Sequence, residues 1–339
     1  MASFARQPSQ WFDAHLDLAY IAETGRDMIV PSYAVIGQPA AVTLPTLVEA
    51  GFHRALGTIF VQRRVPAGEQ QADGPWCYDT PEEAHVACWR QVEIYRLWER
   101  EGRIRLAPTT APRQGETAIE LTLLMEGAAG VRSVDELRAF HAAGVRVIGL
   151  TWSDGTRWAG GNESGGDITP EGRMLVAEIE RLGMVHDVSH LSERAFYTLL
   201  EIARRPKIAS HSNCRALLPG RENNERNLTD KQIQSLIAAG GMIGVNLFTN
   251  FLAMGRRATI DDVVRHIRRI VELAGRADIV GLGSDMDGGF GPAQLPMGLE
   301  HPRKLHRLAE ALSDAGFSDE AVAGFAWANW TRFFDRALP

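Results

Sequence analysis

The chain has 339 residues, of which 45% are hydrophobic and 23% charged, the composition of a globular protein long enough to bury a large core. Its formal net charge of -6 provides no basic surface for phosphate backbones or anionic lipid, so we expect neither a nucleic acid nor a membrane as partner. The N-terminus has no apolar signal-like stretch and no later segment has the apolar length of a membrane span, so a cytoplasmic location is expected.

Short apolar, β-branched runs alternate with longer amphipathic stretches, which is the pattern of repeated βα units. In chain order the predicted strands are 11–17, 53–61, 119–127, 145–152, 183–190, 207–212, 241–248 and 279–285, with 104–108 as a candidate extra strand. Eight strands separated by helices, without a Pro/Ser-rich linker, favour one (β/α)8 barrel domain over residues 1–339. A doubly wound open sheet is the alternative, but no Gly-rich phosphate motif follows the first strand.

The helix patterns between these strands have recognisable ends. A long helix is predicted over residues 81–101. Ser133 followed by Glu136 predicts a capping box at the start of another helix, and Thr229 followed by Gln232 predicts a second one. Both of these helices are expected to stop at a glycine.

Two segments, 62–80 and 153–169, are rich in glycine and polar residues. They are predicted to be long loops over one end of the barrel. Long loops in a compact domain are more often functional than idle, so we expect them to lie near a site.

Residues that can bind metal ions or carry protons stand at the C-terminal ends of the predicted strands. They are His15 and Asp17 on the first strand, Glu126 on the third, His190 on the fifth, His211 on the sixth and Asp285 on the eighth. In a (β/α)8 barrel these ends converge on one mouth, where active sites are built. A single histidine at a strand end is more often a hydrogen-bonded residue than a ligand, but so many candidates at one rim favour a metal centre.

The donor types narrow the choice of metal. The three cysteines, at 77, 88 and 214, follow no CxxC pattern and are expected to be free thiols, so His, Asp and Glu must hold any ion. This set suits zinc, with manganese, cobalt or iron as alternatives. One glutamate can bridge two ions, and such a pair could share a hydroxide and polarise the carbonyl that it attacks. Asp285 is the natural proton carrier to a leaving amine.

The remaining histidines are interpreted as surface or structural residues. His186 is the ambiguous case, because it stands four residues before His190. It is expected on the same strand face but deeper in the barrel, in a packed, hydrogen-bonded role.

The motifs around these residues resemble the membrane dipeptidase family, also called renal dipeptidase or peptidase family M19, over nearly the whole chain. The similar elements are "HLD" (15–17), "MEG" (125–127), "GMVHDVSH" (183–190), "SHSNCRAL" (210–217), "ERNLTD" (225–230) and "GSDMDG" (283–288). The resemblance implies a (β/α)8 hydrolase with two zinc ions that cleaves dipeptides and tolerates a D-residue at the C-terminal position. Since the family commonly forms dimers, it also implies that a homodimer can form.

The resemblance also implies a role for each motif residue. His15 and Asp17 would bind one ion, His190 and His211 would bind the other, and Glu126 would bridge them. Asp285 would handle the proton. Arg226 would bind the terminal carboxylate of the substrate, for which a planar guanidinium is well shaped.

One position departs from the family. The fourth-strand element of the family usually reads Leu-Thr-His, and that His is held to stabilise the oxyanion, whereas this chain has Trp152 in "GLTWSDG". An indole has one N–H donor and no positive charge. Trp152 is therefore expected to line the substrate pocket and to alter it.

Three functions remain open at this point. The first is a dipeptidase, and the second is a hydrolase with the same metals that acts on another small amide, lactam or ester. The third is a catalytically degenerate metal-binding protein. Because a degenerate relative would be free to lose its proton carrier, the presence of Asp285 favours an enzyme.

Overall fold

A computed structural model describes residues 8–37, 39–64, 73–107, 118–218, 220 and 225–338. Its strands are β1 (Trp11–Leu16), β2 (Phe52–Phe60), β3 (Gln62–Arg63), β4 (Cys77–Tyr78), β5 (Ile104–Leu106), β6 (Ile119–Glu126), β7 (Val145–Gly149), β8 (Val185–Asp187), β9 (Lys207–Ala209), β10 (Met242–Val245) and β11 (Val280–Leu282). Its α-helices are α1 (Leu18–Glu23), α2 (Leu44–Glu49), α3 (Pro81–Arg100), α4 (Leu137–Ala142), α5 (Pro170–Leu182), α6 (Glu193–Ile202), α7 (Asp230–Ala238), α8 (Ile260–Ala274), α9 (Leu305–Asp314), α10 (Asp319–Ala323) and α11 (Asn329–Ala337).

Eight of these strands form a closed parallel barrel. They pair in the order β2-β1-β11-β10-β9-β8-β7-β6, and a further pairing of β2 with β6 closes the sheet. Helices separate successive barrel strands, as parallel neighbours require. The predicted (β/α)8 barrel is therefore confirmed, and the open doubly wound sheet is wrong.

The candidate extra strand is also present, as β5. It pairs with residues 119–121 of β6, whereas β7 pairs with residues 123–125 of that strand. Since β2 occupies the other edge of β6, β5 and β7 lie along the same edge. β5 therefore pairs with the N-terminal part of β6 and is not one of the eight barrel strands.

The two predicted loops differ in content. Residues 153–169 connect β7 to α5 without a helix or a multi-residue strand. In the segment 62–80, β3 pairs with β4, while residues 65–72 lie outside the described part of the chain.

The helix ends follow the predicted caps in one of two cases. Thr229 and Gln232 form the expected capping box at α7. Ser133 makes no capping side-chain hydrogen bond, because Glu136 instead accepts from the backbone N–H of Arg132 at 3.0 Å and from its guanidinium. The capping box predicted for Ser133 and Glu136 is therefore wrong, because the nearby Arg132 cation competes for the glutamate.

The C-terminal helix α11 closes the N-terminal end of the barrel. Phe12, Leu56, Leu124 and similar side chains from β7 to β10 form one buried cluster, which also contains aromatic residues of α11. Trp330 of α11 is fully buried and donates its indole N–H to the carbonyl of Leu282 at 2.9 Å. The opposite, C-terminal end is left for the site.

Candidate metal centre

The structure brings all six predicted ligand and proton-carrying residues together at the C-terminal mouth. His15 is in β1, Asp17 follows it, Glu126 ends β6, and His190, His211 and Asp285 lie two or three residues beyond β8, β9 and β11. All are buried, with exposures between 0% and 8%. The strands β8, β9 and β11 are shorter than predicted, so His190, His211 and Asp285 come from the turns that leave the barrel.

The Glu126 carboxylate lies at the middle of this group. Its Oε2 is 3.5 Å from Nε2 of His15. Its Oε1 is 2.9 Å from Nε2 of His190 and 3.2 Å from Nε2 of His211. Each carboxylate oxygen therefore faces a different set of imidazoles, which is the arrangement that one carboxylate needs to serve two ions.

The imidazole rings are packed closely around that carboxylate. The Nε2 atoms of His190 and His211 are 3.1 Å apart, and the rings of His15 and His211 stack with centroids 3.5 Å apart. The buried Nε2 of His15 has no hydrogen-bond partner. An unpaired buried nitrogen is costly unless something else binds it, so the donor set fits a cation.

Carboxylates extend the group on the His15 side. One potential ligand atom from each of His15, Asp17 and Asp285 lies within 4.8 Å of the others, and the same holds for His15, Glu126 and His211. Asp17 accepts from the hydroxyl of Thr58. The two groups share His15, so they are alternative views of one buried cluster that could hold a metal ion.

Burial and mutual repulsion raise the pKa values of two carboxylates in the cluster, Asp17 and Asp285. Burial, followed by the Asp17 carboxylate, raises the pKa of Asp285 well above its ordinary value. Burial and then Glu126 raise the pKa of Asp17 to about 6. Burial lowers the pKa of His15, but the carboxylates of Glu126, Asp17 and Asp285 together raise it to about 10. The cluster therefore retains a proton in place of the positive charge that an ion would supply.

The turn after β11 is built to bring two carboxylates together. Asp285 has a φ of 60°, in the left-handed region that aspartate tolerates better than most residues. At Gly288 a Cβ atom would lie 1.9 Å from Oδ1 of Asp285 and 2.5 Å from Oδ2 of Asp17. Only glycine fits at that position without moving the acidic pair.

A cavity of about 740 Å³ opens above this cluster. Its floor contains Glu126, His190 and His211, and the predicted substrate residues Arg226 and Trp152 both line it. The cavity is also lined by aromatic side chains, which are Tyr20, Phe60, Phe248, Phe251 and Phe290, and by polar side chains, which include Gln62, Asn162, Glu163 and Glu225. The cavity thus combines polar and apolar lining, as small-molecule sites commonly do.

The model of the membrane dipeptidase family (peptidase family M19) matches residues 5–337. The chain belongs to this family. It is therefore a metallopeptidase-type hydrolase related to dipeptidases.

Two relatives are similar over different shares of their own length. A protein of Klebsiella pneumoniae, encoded in the pqqA 5' region, is 34% identical over 262 residues, which cover 72% of this chain and 93% of that protein. An uncharacterized dipeptidase of Schizosaccharomyces pombe is 33% identical over 235 residues, or 66% of this chain, and the match spans only 53% of the yeast protein.

A solved M19 structure is similar along nearly the whole fold. The Rhodobacter sphaeroides metallopeptidase, liganded with a phosphinate mimic of the dipeptide L-Ala-D-Ala, has a TM-score of 0.81 and 28% identity, covering 97% of this chain and 99% of that one. In the part of this M19 chain that the structure describes, no helix combines the length and apolarity needed to cross a bilayer.

Arg226 of this M19 chain is buried and already bonded to the protein. It donates to the carbonyl of His211 at 2.7 Å and to the hydroxyl of Ser212 at 3.3 Å, and its guanidinium lies 5.0 Å from the ring of Phe251. A guanidinium anchored in this way is fixed in orientation while it lines the cavity.

Trp152, which the motif comparison of the sequence sets apart from the family, lines the cavity. It lies in the loop after β7, with its ring 5.2 Å from Phe60 and 5.9 Å from His190. Its indole is an apolar wall beside the histidine ligand set, so this chain has no imidazolium at that position.

The prediction for His186 is half wrong. Its ring is buried and hydrogen-bonded, as expected, but Nε2 lies 2.8 Å from Oε1 of Glu180 in α5. His186 therefore faces the helix layer and not the barrel interior, because β8 ends at Asp187 and the alternation of faces does not continue to His190.

Sequence reasoning missed the polar residues that hold the candidate ligands. Oδ1 of Asn162 lies 3.0 Å from Nδ1 of His190, and Nδ2 of Asn246 donates to Oδ2 of Asp285 at 2.9 Å. The only available signal was that Asn162 falls within the predicted mouth loop.

Proposed function

We propose that this chain is a two-metal dipeptidase that cleaves the amide bond of L,L- or L,D-dipeptides. The observation that carries this proposal is the position of Glu126, whose two oxygens face different imidazoles. His15 and Asp17 would hold one ion, and His190 and His211 the other. Zinc is the expected ion because imidazole and carboxylate donors suit it, although other divalent metals fit the same donors.

The ions, when bound, would activate a water molecule and polarise the scissile carbonyl. The chain itself must deliver a proton to the departing amine. Asp285 can do this because burial and the neighbouring Asp17 raise the pKa of its carboxyl group, which favours the protonated form, and Asn246 fixes the orientation of its Oδ2. Proton transfer at Oδ1 or Oδ2 of Asp285 thus completes amide cleavage.

Arg226 would bind the terminal carboxylate of the substrate. Its anchoring to the carbonyl of His211 keeps the positive charge next to the ligand set. A fixed planar guanidinium can pair with both oxygens of a carboxylate, and it would orient the dipeptide towards the ions.

A second candidate substrate class is another small amide, a lactam or an ester. Trp152 supports it, because the indole lining the cavity can hydrogen-bond an oxyanion but cannot neutralise it. Substrates that place less charge on that oxygen, or that stack on an indole, would then be favoured over simple dipeptides.

The proposal is tested with purified zinc-loaded protein and a panel of L,L- and L,D-dipeptides, N-acyl amino acids, lactams and esters. We expect release of free amino acid from dipeptides, and a loss in kcat of about 10²- to 10⁴-fold in Asp285→Asn with unchanged metal content. Asp278→Asn, at an exposed ion pair, is the matched control. Turnover of esters or lactams alone would favour the second candidate, and wild-type rates in Asp285→Asn would remove the proton role.

The assembly and location are further proposals. We propose that the protein forms a homodimer, as its family resemblance implies, and that it is cytoplasmic, as the sequence pattern led us to expect. Light scattering of the purified chain and fractionation of expressing cells test these two statements.

A further inference from the structure

One hydroxyl group lies beneath both candidate metal sites. Ser210 is fully buried, just past the end of β9. Its Oγ is 3.0 Å from Nδ1 of His15, 2.8 Å from Nδ1 of His211 and 2.6 Å from Oδ2 of Asp187. It also lies 3.2 Å from the hydroxyl of Ser189.

The single hydrogen of Ser210 is committed to Asp187. An ionised carboxylate has no hydrogen to give, so at 2.6 Å the hydroxyl must be the donor. Oδ1 of Asp187 accepts from the Ser189 hydroxyl at 2.7 Å and from the backbone N–H of Ser210 at 3.0 Å. Asp187 therefore accepts a hydrogen bond from each hydroxyl, so the lone pairs of both serine oxygens point away from the carboxylate.

The two lone pairs of Ser210 remain for the two histidines. A lone pair can only accept a hydrogen bond, so Nδ1 of His15 and Nδ1 of His211 must each carry a hydrogen. A metal ion binds the neutral imidazole, in which the other nitrogen is then a bare acceptor, and these are the Nε2 atoms next to Glu126. The geometry thus leaves one metal-binding lone pair on His211, and one on His15 once that ring has lost its second proton.

His190 obtains the same tautomer from a different partner. Its Nδ1 lies 3.0 Å from Oδ1 of Asn162 in the loop between β7 and α5. Its Nε2 and that of His211 would then be two bare acceptors only 3.1 Å apart, which repel unless a cation lies between them.

We propose that Ser210, oriented by Asp187, is a positioning residue that sets the tautomer of His15 and His211 and so prepares both metal sites with one hydroxyl group. This inference rests on the proposed two-metal function. It predicts that the two sites share one support, whereas Asn162 supports only the site that contains His190.

The first test is a zinc titration of the full chain against a competing chelator. We expect Ser210→Ala to weaken both sites by about 10- to 100-fold each, and Asn162→Ala to weaken only one. Ser313→Ala removes a serine hydroxyl that donates to the carbonyl of Ala309 within α9, so it should keep both affinities within about threefold. Wild-type affinity at either site in Ser210→Ala would overturn the shared support.

The second test reads the tautomers directly, so it separates positioning from a general loss of structure. Nitrogen NMR of the histidine-labelled full chain, with metal removed and at about pH 8, should place the ring hydrogen of His211 on Nδ1. In Ser210→Ala the His211 signal should lose this preference, while His190, bonded to Asn162, should keep it and serve as an internal control.

The variant Asp187→Asn keeps the inference testable even if Ser210→Ala does not fold. In Asp187→Asn an amide N–H can face Ser210 and oblige the hydroxyl to donate to one histidine, which should move a ring hydrogen of His15 or His211 to Nε2. An Nε2 hydrogen on His211 in the wild-type chain, or no change in either variant, would contradict the inference. Failure of the wild-type chain to bind zinc would instead contradict the proposed function, whatever the tautomers are.

Discussion

The two ends of the barrel use the same strands in opposite ways. At the N-terminal end, the indole of Trp330 donates to a strand carbonyl and its ring packs on Phe334 at 5.7 Å, inside an apolar cluster. At the C-terminal end, Glu126 and its neighbours are equally buried but ionisable, and Nε2 of His15 lacks a hydrogen-bond partner. One end contributes stability through satisfied packing, and the other retains unsatisfied groups that need a ligand.

This contrast means that the two ends should respond differently to substitution. Changes at the mouth should affect metal binding and turnover far more than folding. Changes at the closed end should do the reverse.

The largest effect is expected at the mouth, from Glu126→Gln. An amide cannot carry negative charge towards both sets of imidazoles, so kcat/KM should fall about 10³-fold while the secondary structure is retained. Circular dichroism and dipeptide hydrolysis measure the two quantities. Residual activity within tenfold of the wild type would show that Glu126 does not hold both ions.

At the closed end, Trp330→Ala should lower the free energy of unfolding by about 3–5 kcal/mol, because it leaves a large cavity and an unpaired strand carbonyl. Urea unfolding measures this loss. The kcat of the protein that remains folded should stay at the wild-type value. A matching drop in kcat would mean that the two ends are coupled.

A smaller change is expected from Arg226→Lys. Lysine keeps the charge but cannot pair with both oxygens of a carboxylate, so KM for dipeptides should rise about 10-fold with little change in kcat. The exposed Arg173→Lys is the control. An unchanged KM would mean that Arg226 does not bind the substrate and acts only through its hydrogen bonds within the protein.

The smallest effect is in the pH dependence of metal binding. Burial lowers the pKa of His15, but the neighbouring carboxylates, Glu126 foremost, together raise it to about 10, so near pH 8 zinc must displace about one proton from this ring. Affinity should therefore rise with pH up to about 10. Calorimetry in buffers with different heats of ionisation counts the protons, and a pH-independent affinity would contradict the prediction.

The raised pKa of His15 also affects the stability of the metal-free chain, which should fall as the pH rises. A histidine whose folded pKa lies above its unfolded value of about 6.5 stabilises the fold fully below that pH. This contribution is lost as pH rises through about 10. Zinc and the proton thus compete for the same ring.

The sequence predicted the parts of this molecule that depend on local pattern. The barrel strands and the clustering of His15, Glu126 and Asp285 at one mouth followed from apolar runs that end in polar residues. Strand ends were overestimated, because the apolar run containing Trp152 continues three residues past the last strand residue, Gly149.

The sequence could not predict contacts set by closure of the barrel. Ser210 meets His15 across 195 residues, and no spacing rule gives which ring nitrogen its hydroxyl will face. Glu136 was likewise assigned to Ser133 by its spacing, while the folded chain pairs it with Arg132. Side chains with several partners in reach are decided by tertiary geometry.

The most direct test of the two-metal centre is the metal content of the zinc-loaded chain after gel filtration, compared with its rate of dipeptide hydrolysis. The account predicts that activity rises with bound zinc and reaches a plateau at about two ions per chain. A fully folded chain that binds no zinc, or that hydrolyses dipeptides equally well without it, would contradict the account.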